Sequence, residues 1–345
     1  MTELTVESVR GGIPESRHRV SVAVTEAGGR LVARAGDPEY RTFMRSAAKP
    51  FQALPVIEDG AAEGFGFSEA EIALACASHS SEPRQVEAVR ALLQRIGCTE
   101  DDLACGGHRP LSLDLALVTE LPARAAGAGE GEQMARTPLA SNCSGKHTAM
   151  LALARHHGWP TAGYERPDHP VQGRCRESVA RWTGLPPGDL GEGVDGCGVV
   201  SFAVPLRAMA TAYARLGGST EPAPQRVVAA MTAHPDLVAG TGRPCTALMR
   251  AYPGKLLAKV GAEGVYGAAL LDRGIGVAVK VEDGHTWAAV VALIAVLDAL
   301  ELEPAPSRAL AAFAGPPILN TRGVKVGHLR SCGGVTFTDH PVPAG

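Results

Sequence analysis

Strand-forming patterns lie near both ends of this chain, and helical patterns dominate the residues between them. Residues 19–35 form two alternating β runs around a Gly-Gly turn, which is the pattern of a hairpin. Further strand-like runs follow much later, at 256–260, 265–271 and 275–281. This order predicts one largely antiparallel sheet that contains both ends of the chain, with helices packed on it and a helical lobe beside it, which is the α+β class.

The extent of these parts can also be stated from the sequence. We expect a single catalytic domain over residues 1–345, with the sheet formed by residues about 15–40 and 255–285 and the helical part by about 45–235. A helix from about 286 to 300 and an irregular tail should close the chain. A parallel doubly wound fold is not indicated, because strands and helices do not alternate along the chain.

The composition excludes several classes of protein. A hydrophobic content of 45%, a charged content of 20% and a net charge of −3 are typical of a globular protein and give no basic surface for nucleic acid. The longest apolar run, residues 287–300, is too short to span a bilayer. The acidic N-terminus lacks the apolar segment of a signal peptide, so the eight cysteines of the chain are expected as thiols or metal ligands. We therefore expect a cytoplasmic protein that binds neither membrane nor nucleic acid.

Ser46 and Lys49 form the first candidate for catalysis. Residues three apart on a helix share one face, and Pro50 is tolerated only in the first turn, so both side chains should lie at a helix N-terminus. The free N–H groups and dipole there stabilise negative charge, including an alkoxide forming on a serine. A serine within reach of an amine base is an activated nucleophile. The alternative interpretation is an N-cap serine followed by a surface lysine.

The scarcity of lysine favours the catalytic interpretation. The chain has 33 Lys plus Arg residues, and nearly all are arginine. Arginine stays protonated in proteins, whereas burial and neighbouring charge can make a lysine neutral. The few lysines are therefore candidates for positions that need an amine. They are Lys49, Lys146, Lys255, Lys259, Lys280 and Lys325.

Two cysteines in Gly-rich turns, Cys143 and Cys197, offer soft ligands that suit zinc. Lys146, His147 and Asp195 are nearby nitrogen or oxygen donors. The stretch from Cys143 to His147 resembles the tail of a phosphate loop, but it lacks the first glycine and the hydroxyl residue that binds magnesium, so nucleotide binding is rejected. The alternative for the two cysteines is that they are buried apolar thiols.

A second lysine completes a pattern known from acyl-serine enzymes. Ser46-x-x-Lys49, the later Ser78 and the strand motif Lys259-x-Gly261 reproduce the order S-x-x-K, central serine, K-x-G of β-lactamases and penicillin-binding proteins. Val260 replaces the threonine of their K-T-G motif, which argues against a β-lactam substrate. The chain has no G-x-S-x-G elbow and no H-E-x-x-H motif.

Longer motifs are spread along the chain: Arg45-Ser-Ala-Ala-Lys-Pro-Phe-Gln, Cys76-Ala-Ser-His-Ser, Asn142-Cys-Ser-Gly-Lys-His, Pro167-Asp-His-Pro, Val194-Asp-Gly-Cys-Gly, Gly240-Thr-Gly-Arg and Lys259-x-Gly-Ala-Glu-Gly. Together they resemble the asparaginase II family of the rhizobial, zinc-containing type, from about residue 10 to 330 in one register. The resemblance implies a fold similar to serine β-lactamases, penicillin-binding proteins and glutaminases. It also implies a cytoplasmic homodimer that cleaves L-asparagine to aspartate and ammonia.

The resemblance assigns roles by position. The catalytic residues would be two Ser–Lys pairs, Ser46 with Lys49 and Ser78 with Lys259. One zinc ion per chain would be held by Cys143, Lys146 and Cys197. It would have a structural or substrate-positioning role rather than activate water. The candidate substrate-binding residues are Arg45, His147, Asp195, Arg243 and Gly261; among them Arg45, His147 and Arg243 could hold the α-carboxylate, and N–H groups at Ser46 and near Gly261 could stabilise an oxyanion.

Two departures from the family pattern affect loops near the expected site. Ser81 stands where the pattern has Gly, and Pro244-Cys245 replaces a bulkier pair. Substrate preference therefore stays open between asparagine and glutamine, which differ by one methylene, and a glutaminase or another small-amide hydrolase is the first alternative. A non-catalytic zinc- or amino-acid-binding protein on the same fold is the second, and it would bind ligand without releasing ammonia.

Overall fold

A computed structural model of the protein describes residues 3–108, 137–302 and 308–338. Residues 123–133, in which the sequence predicts an exposed loop, lie outside the described residues. Within the described ranges, no helix combines the length and the apolar character that crossing a membrane requires.

The strands form two antiparallel sheets, one of nine strands and one of three. The strands are β1 (Leu4–Arg10), β2 (Ile13–Glu26), β3 (Leu31–Ala35), β4 (Arg41–Phe43), β5 (Gly191–Val194), β6 (Val200–Pro205), β7 (Leu256–Gly261), β8 (Val265–Leu270), β9 (Ile275–Val281), β10 (Pro317–Leu319), β11 (Lys325–Gly333) and β12 (Thr336–Phe337).

The order of the strands joins the two ends of the chain. In the large sheet it is β10-β11-β1-β2-β9-β8-β7, and β3 lies between β2 and β12. The long strand β2 pairs with β9 from Val20 to Glu26, in an antiparallel register that starts with Val20 opposite Val281. The small sheet has the order β4-β6-β5.

Helices connect and cover these strands. They are α1 (Lys49–Glu58), α2 (Ala61–Gly64), α3 (Glu69–Ala75), α4 (Pro83–Arg95), α5 (Ser144–His157), α6 (Pro170–Thr183), α7 (Leu206–Gly218), α8 (Pro222–Ala233), α9 (Pro235–Val238), α10 (Pro244–Ala251), α11 (Thr286–Ala299) and α12 (Arg308–Ala314). Most lie between β4 and β7, so the structure confirms the α+β class with a helical middle.

Helices α7 and α11 cover opposite faces of the large sheet. Thr25 on β2 meets Thr211 on α7, with their hydroxyl oxygens 3.3 Å apart. His18, also on β2, stacks instead on His285, the N-cap residue of α11. Because odd and even residues of a strand point to opposite faces, the two helices enclose the sheet between them. The core of the protein therefore has layers on both sides of β2, β8 and β9.

Several local predictions are confirmed by the structure. The hairpin is β2 and β3, and the capping box at Ser68 starts α3: the Glu71 N–H donates to Ser68 Oγ at 3.3 Å, and the Ser68 N–H donates to Glu71 Oε2 at 2.9 Å. The helix expected at 286–300 is α11.

The expectation of an irregular tail is wrong. Strands β10, β11 and β12 continue the sheet at its far end, where β11 pairs with β1, a strand that the sequence analysis also missed. These strands are harder to recognise because much of their surface is exposed, so hydrophobic alternation is weak. The sheet therefore extends beyond residues 15–40 and 255–285 in both directions along the chain.

Candidate active site

Ser46 lies in a single 3-10 turn, Arg45–Ala48, that runs directly into α1. Pro50 occupies the first turn of α1, as the sequence predicts, because its missing N–H has no role there. Ser46 itself is half-buried. The turn therefore presents the Ser46 hydroxyl at the start of a helix.

Three contacts hold this turn in place. The Met44 N–H donates to the Phe202 carbonyl of β6 at 2.8 Å, and the Tyr213 hydroxyl of α7 donates to the Ala47 carbonyl at 2.7 Å. Gly261 ends β7 directly beside the turn: a Cβ at this position would lie 2.7 Å from the Met44 carbonyl oxygen. Gly261 thus lets the backbone of β7 approach the Ser46 turn. The turn is fixed by both sheets and by α7.

Gly261 therefore has a packing role. The Val260 N–H donates outward, to Cys245 Sγ at 3.3 Å. Because successive residues of a strand point their N–H groups to opposite sides, the Gly261 N–H faces the neighbouring strand β8. A second oxyanion donor on this strand would have to come from a residue other than Gly261.

Ser78 lies between two lysines from distant parts of the chain. Its hydroxyl oxygen accepts hydrogen bonds from Lys259 Nζ at 2.7 Å and from Lys49 Nζ at 3.1 Å. Both lysines are 0% exposed and Ser78 is 3% exposed, so this group is cut off from bulk water. One hydroxyl thus connects two buried amines.

The electrostatics of the two lysines favour a neutral amine at Lys259. Burial, and next the positive charge of Lys49, lower the pKa of Lys259 to about 7. Close to neutral pH this amine can accept or release a proton, which is the property that a general base requires.

The structure brings together the predicted pair Ser78 and Lys259, whereas Lys49 forms no hydrogen bond with Ser46. Besides Ser78, the Lys49 amine donates to the carbonyls of Ala77 and Asn142. A fully buried amine needs several acceptors, and these carbonyls supply them. Within the part of the chain that the structure describes, the Ser46 hydroxyl forms no hydrogen bond. Lys49 and Ser46 are therefore neighbours in sequence without a direct bond.

Cys143, Lys146 and Cys197 are grouped at the start of α5. Lys146 Nζ donates to Cys197 Sγ at 3.2 Å, and the Cys197 thiol is hydrogen-bonded to Cys143. That bond, together with the charges of Lys49 and Lys146, lowers the pKa of the Cys143 thiol against the effect of burial. Across residues 3–108, 137–302 and 308–338, no group of three or more His, Cys, Asp or Glu could hold a metal; in this cluster the third donor is a lysine.

Arg45 and Asp195 form an ion pair at the edge of this cluster. Arg45 Nε donates to Asp195 Oδ1 at 2.8 Å. Burial opposes ionisation of Asp195, but the charges of Lys146 and Arg45 outweigh it and lower the pKa of the carboxyl. Arg45 has a φ of 51°, a left-handed conformation that costs energy in a non-glycine residue. The turn that carries Ser46 is therefore strained at the residue that binds Asp195.

His147 and Arg243, the other predicted substrate-binding residues, are in different settings. His147 is completely buried, and its Nδ1 is hydrogen-bonded to the Tyr164 hydroxyl. Its Nε2 is buried and has no partner among the described residues. Burial, together with the charges of Lys146 and Lys49, holds the pKa of His147 well below its usual value, so the ring is neutral. Arg243 Nη1 donates to Ser80 Oγ at 3.3 Å, which places it beside the Ser78 loop.

Sequence reasoning missed residues that hold these groups. Tyr164 and Tyr213 had no signal in the sequence, because each acts through a contact with a distant segment. The sequence did contain a signal for His79, because this residue directly follows Ser78. Ser81, noted as a departure from a family glycine, has a φ of 63°, the conformation that glycine adopts without strain.

The chain has weak similarity to several solved structures. No curated protein matches the sequence. Among solved structures, Mglu in its native form is 16% identical over 85% of this chain and 63% of its own, with a TM-score of 0.40. A beta-lactamase from Mycobacterium bovis is 14% identical over 82% of this chain and 95% of its own, with a TM-score of 0.32. Simvastatin synthase from Aspergillus terreus, in a mutant form, is 10% identical over 86% of this chain and 90% of its own, with a TM-score of 0.31.

These structural likenesses are weak and carry no conclusion about activity. The chain spans less than two thirds of the length of the Mglu chain. The sequence family is much clearer, because the sequence model of L-asparaginase II matches residues 6–331, nearly the whole chain and every residue of the site described above. The chain therefore belongs to the L-asparaginase II family.

Proposed function

We propose that the protein hydrolyses the side-chain amide of L-asparagine to L-aspartate and ammonia, with Ser46 as the nucleophile. The observation that carries this proposal is the Ser78 hydroxyl, held between the buried amines of Lys49 and Lys259. This arrangement can move a proton between two amines without water. Membership of the L-asparaginase II family supports an amide as the substrate.

The first half of the reaction forms an acyl-enzyme. Lys49 passes a proton through the Ser78 hydroxyl to the neutral Lys259. The resulting Lys49 amine then turns from its carbonyl acceptors to Ser46 and takes the Ser46 proton as Ser46 Oγ attacks the amide carbon. When the C–N bond breaks, Lys259 returns its proton through Ser78 to the leaving nitrogen, which departs as ammonia. The backbone N–H of Ser46 stabilises the oxyanion, an effect worth about 3 kcal/mol per donor in known enzymes.

The second half hydrolyses the aspartyl ester. Water attacks the ester carbon and gives up a proton through Ser78 to the neutral Lys259, while the protonated Lys49 donates a proton to Ser46 Oγ as the C–O bond breaks. Aspartate leaves, and Lys259 returns its proton through Ser78 to Lys49. The charges at the edge of the site suit a zwitterionic substrate: Arg45 and Arg243 match a carboxylate, and Asp195 matches an ammonium group. This substrate-binding role for the three residues is part of the proposal.

Zinc at Cys143, Lys146 and Cys197 is also proposed. The residues fit the metal, because two thiols and an amine converge within hydrogen-bonding distance in a buried cluster. When bound, zinc would supply a fixed positive charge that positions substrate. Purified protein should then contain about one zinc per chain by elemental analysis, and Cys197→Ala should lose it. If the free energy of unfolding of metal-free protein were the same with and without added zinc, the assignment would be contradicted.

A cytoplasmic homodimer completes the proposal. Sedimentation equilibrium should give twice the chain mass of 35.7 kDa. A mass of 35.7 kDa at micromolar concentration would instead identify a monomer.

A coupled ammonia assay tests the function itself, with L-asparagine, L-glutamine and a chromogenic β-lactam as parallel substrates. We expect ammonia release with the highest kcat/KM for L-asparagine and no β-lactam hydrolysis. A higher kcat/KM for L-glutamine would make the protein a glutaminase. Saturable binding of either amino acid without ammonia release would indicate a binding protein and overturn the proposal.

A further inference from the structure

His79 follows Ser78 directly, is 0% exposed, and uses both ring nitrogens. The Ser81 N–H donates to His79 Nδ1 at 3.1 Å. His79 Nε2 lies 2.7 Å from Ser144 Oγ, in the first turn of α5. The ring therefore spans from the Ser78 loop to the helix that carries Lys146.

The direction of each bond can be derived from its neighbours. Ser144 Oγ donates its single hydrogen to the Leu139 carbonyl at 2.9 Å. It must then accept from His79, so Nε2 carries the ring hydrogen while Nδ1 accepts from Ser81. Only one neutral tautomer satisfies both contacts. Burial, and next the charge of Lys49, lower the pKa of His79 to about 3, which agrees with this assignment.

The backbone of His79 connects the same ring to Lys49. The His79 N–H donates to the Asn142 carbonyl at 3.3 Å, and that carbonyl also accepts from Lys49 Nζ at 3.4 Å. On the other side, the Ser78 N–H donates to the Val238 carbonyl at 2.8 Å. Ser78 is thus placed by contacts that run through His79 to the segment that also holds Lys49.

We propose that His79 is a positioning residue for the reaction: a neutral ring, fixed in one tautomer, that sets the Ser78 hydroxyl between Lys49 and Lys259. It transfers no proton itself. The inference rests on the proposed function, because it assigns to Ser78 the proton relay between the two lysines.

Conservative substitutions separate a positioning ring from an acid or base. His79→Gln keeps a donor at the place of Nε2 and can still reach Ser144, whereas His79→Asn keeps only the acceptor at the place of Nδ1. Misplacement of a catalytic group by about 1 Å costs about a hundredfold in rate. We expect His79→Asn and His79→Ala to lower kcat about a hundredfold with KM nearly unchanged, and His79→Gln to retain kcat within about tenfold.

A double-mutant cycle with Ser144→Ala adds a second test, in which thermal unfolding checks that each variant is folded. If His79 acts through Ser144, Ser144→Ala should itself lower kcat, and His79→Asn should cost far less in that background than in the wild type. His18→Gln is the matched control, since His18 is also a buried histidine but bonds to Asp283 on the far face of the sheet. Its kcat should stay at the wild-type value.

The outcomes are distinct. If His79→Gln loses as much kcat as His79→Ala while both fold, the ring transfers a proton and the inference is overturned. Additive effects of His79→Asn and Ser144→Ala would also overturn it. A wild type that releases no ammonia from any amide would contradict the proposed function and this inference together, whereas an active wild type with insensitive His79 variants would contradict the inference alone.

Discussion

At the residue scale, the two lysines of the site share one hydroxyl but differ in their surroundings. Lys49 has two backbone carbonyls in addition to Ser78, whereas Lys259 has one, that of Val260 at 3.0 Å. The amine with fewer acceptors is also the one whose pKa is lowered to about 7 by burial and by the charge of its neighbour. This difference assigns the neutral amine of the resting site to Lys259.

The first prediction concerns pH. Because the pKa of Lys259 is lowered to about 7, this amine is protonated below that pH and cannot accept the proton from Lys49. The kcat of the wild type should therefore rise as pH increases through about 7 and level off above it. Steady-state assays across pH 5 to 9 measure the limb, and a kcat that is constant from pH 5 to 8 would contradict the assignment.

The second prediction tests Lys49. Lys49→Arg keeps the positive charge, but an arginine cannot release its proton near neutral pH. We expect kcat to fall at least about a hundredfold, the lower end of what general-base catalysis contributes. Lys325→Arg, at an exposed position, is the matched control and should leave kcat unchanged. If Lys49→Arg folds and keeps kcat within tenfold, Lys49 provides only charge.

The residues found from the sequence alone share a simple property. Lys49 and Lys259 stood out because lysine is rare in this chain, and Ser46 because Pro50 marks the start of a helix. The contact of Lys49 with Ser78 could not be predicted, since it depends on which buried acceptors the fold brings near the amine. His79 is similar: its role comes from Ser144, which lies 65 positions away.

At the element scale, α7 lies so close to the sheet that two strands carry glycine beneath it. A Cβ on Gly276 of β9 would lie 1.9 Å from the Ala210 carbonyl oxygen, and one on Gly267 of β8 would lie 2.1 Å from the ring of Tyr213. The hydroxyl of Tyr213 in turn holds the Ser46 turn. The position of α7 thus links the packing of the sheet to the geometry of the site.

This close approach gives a prediction about stability. Gly276→Ala should lower the free energy of unfolding by about 2 kcal/mol or more, because the obstructing atoms belong to the backbone of α7 and cannot move aside. Gly173→Ala is the matched control: Gly173 lies inside α6 with open space around it, and alanine there should stabilise by about 1 kcal/mol. Urea unfolding measures both, and a neutral Gly276→Ala would show that α7 is free to shift.

Prediction of the elements from the sequence succeeded where burial makes a clear pattern. The hairpin and α11 were found because their apolar residues repeat with the period of a strand or fill a long helix. β11, whose residues are mostly exposed or half-buried, gives no such pattern, and its place in the sheet depends on pairing with β1. The register of that pairing joins segments that are far apart in the sequence, so local patterns do not predict it.

At the scale of the whole molecule, the sheet explains why the site needs both ends of the chain. Ser78 and Lys259 are 181 residues apart, and β7 brings them together because the C-terminal meander is joined to the N-terminal strand β2 through β9. The Ser46 turn enters the site from the small sheet, through the bond of Met44 to Phe202. The family motifs predicted that these segments belong to one site, but the antiparallel order that joins them appears only in the structure.

The most direct test of this account is ammonia release from L-asparagine by Ser46→Ala beside the wild type, with thermal unfolding as the check on folding. The account predicts a wild type that releases ammonia and a folded Ser46→Ala variant whose kcat is lower by at least about a thousandfold, because the acyl-enzyme cannot form. A folded Ser46→Ala variant with kcat within tenfold of the wild type would contradict the account and move the nucleophile to Ser78.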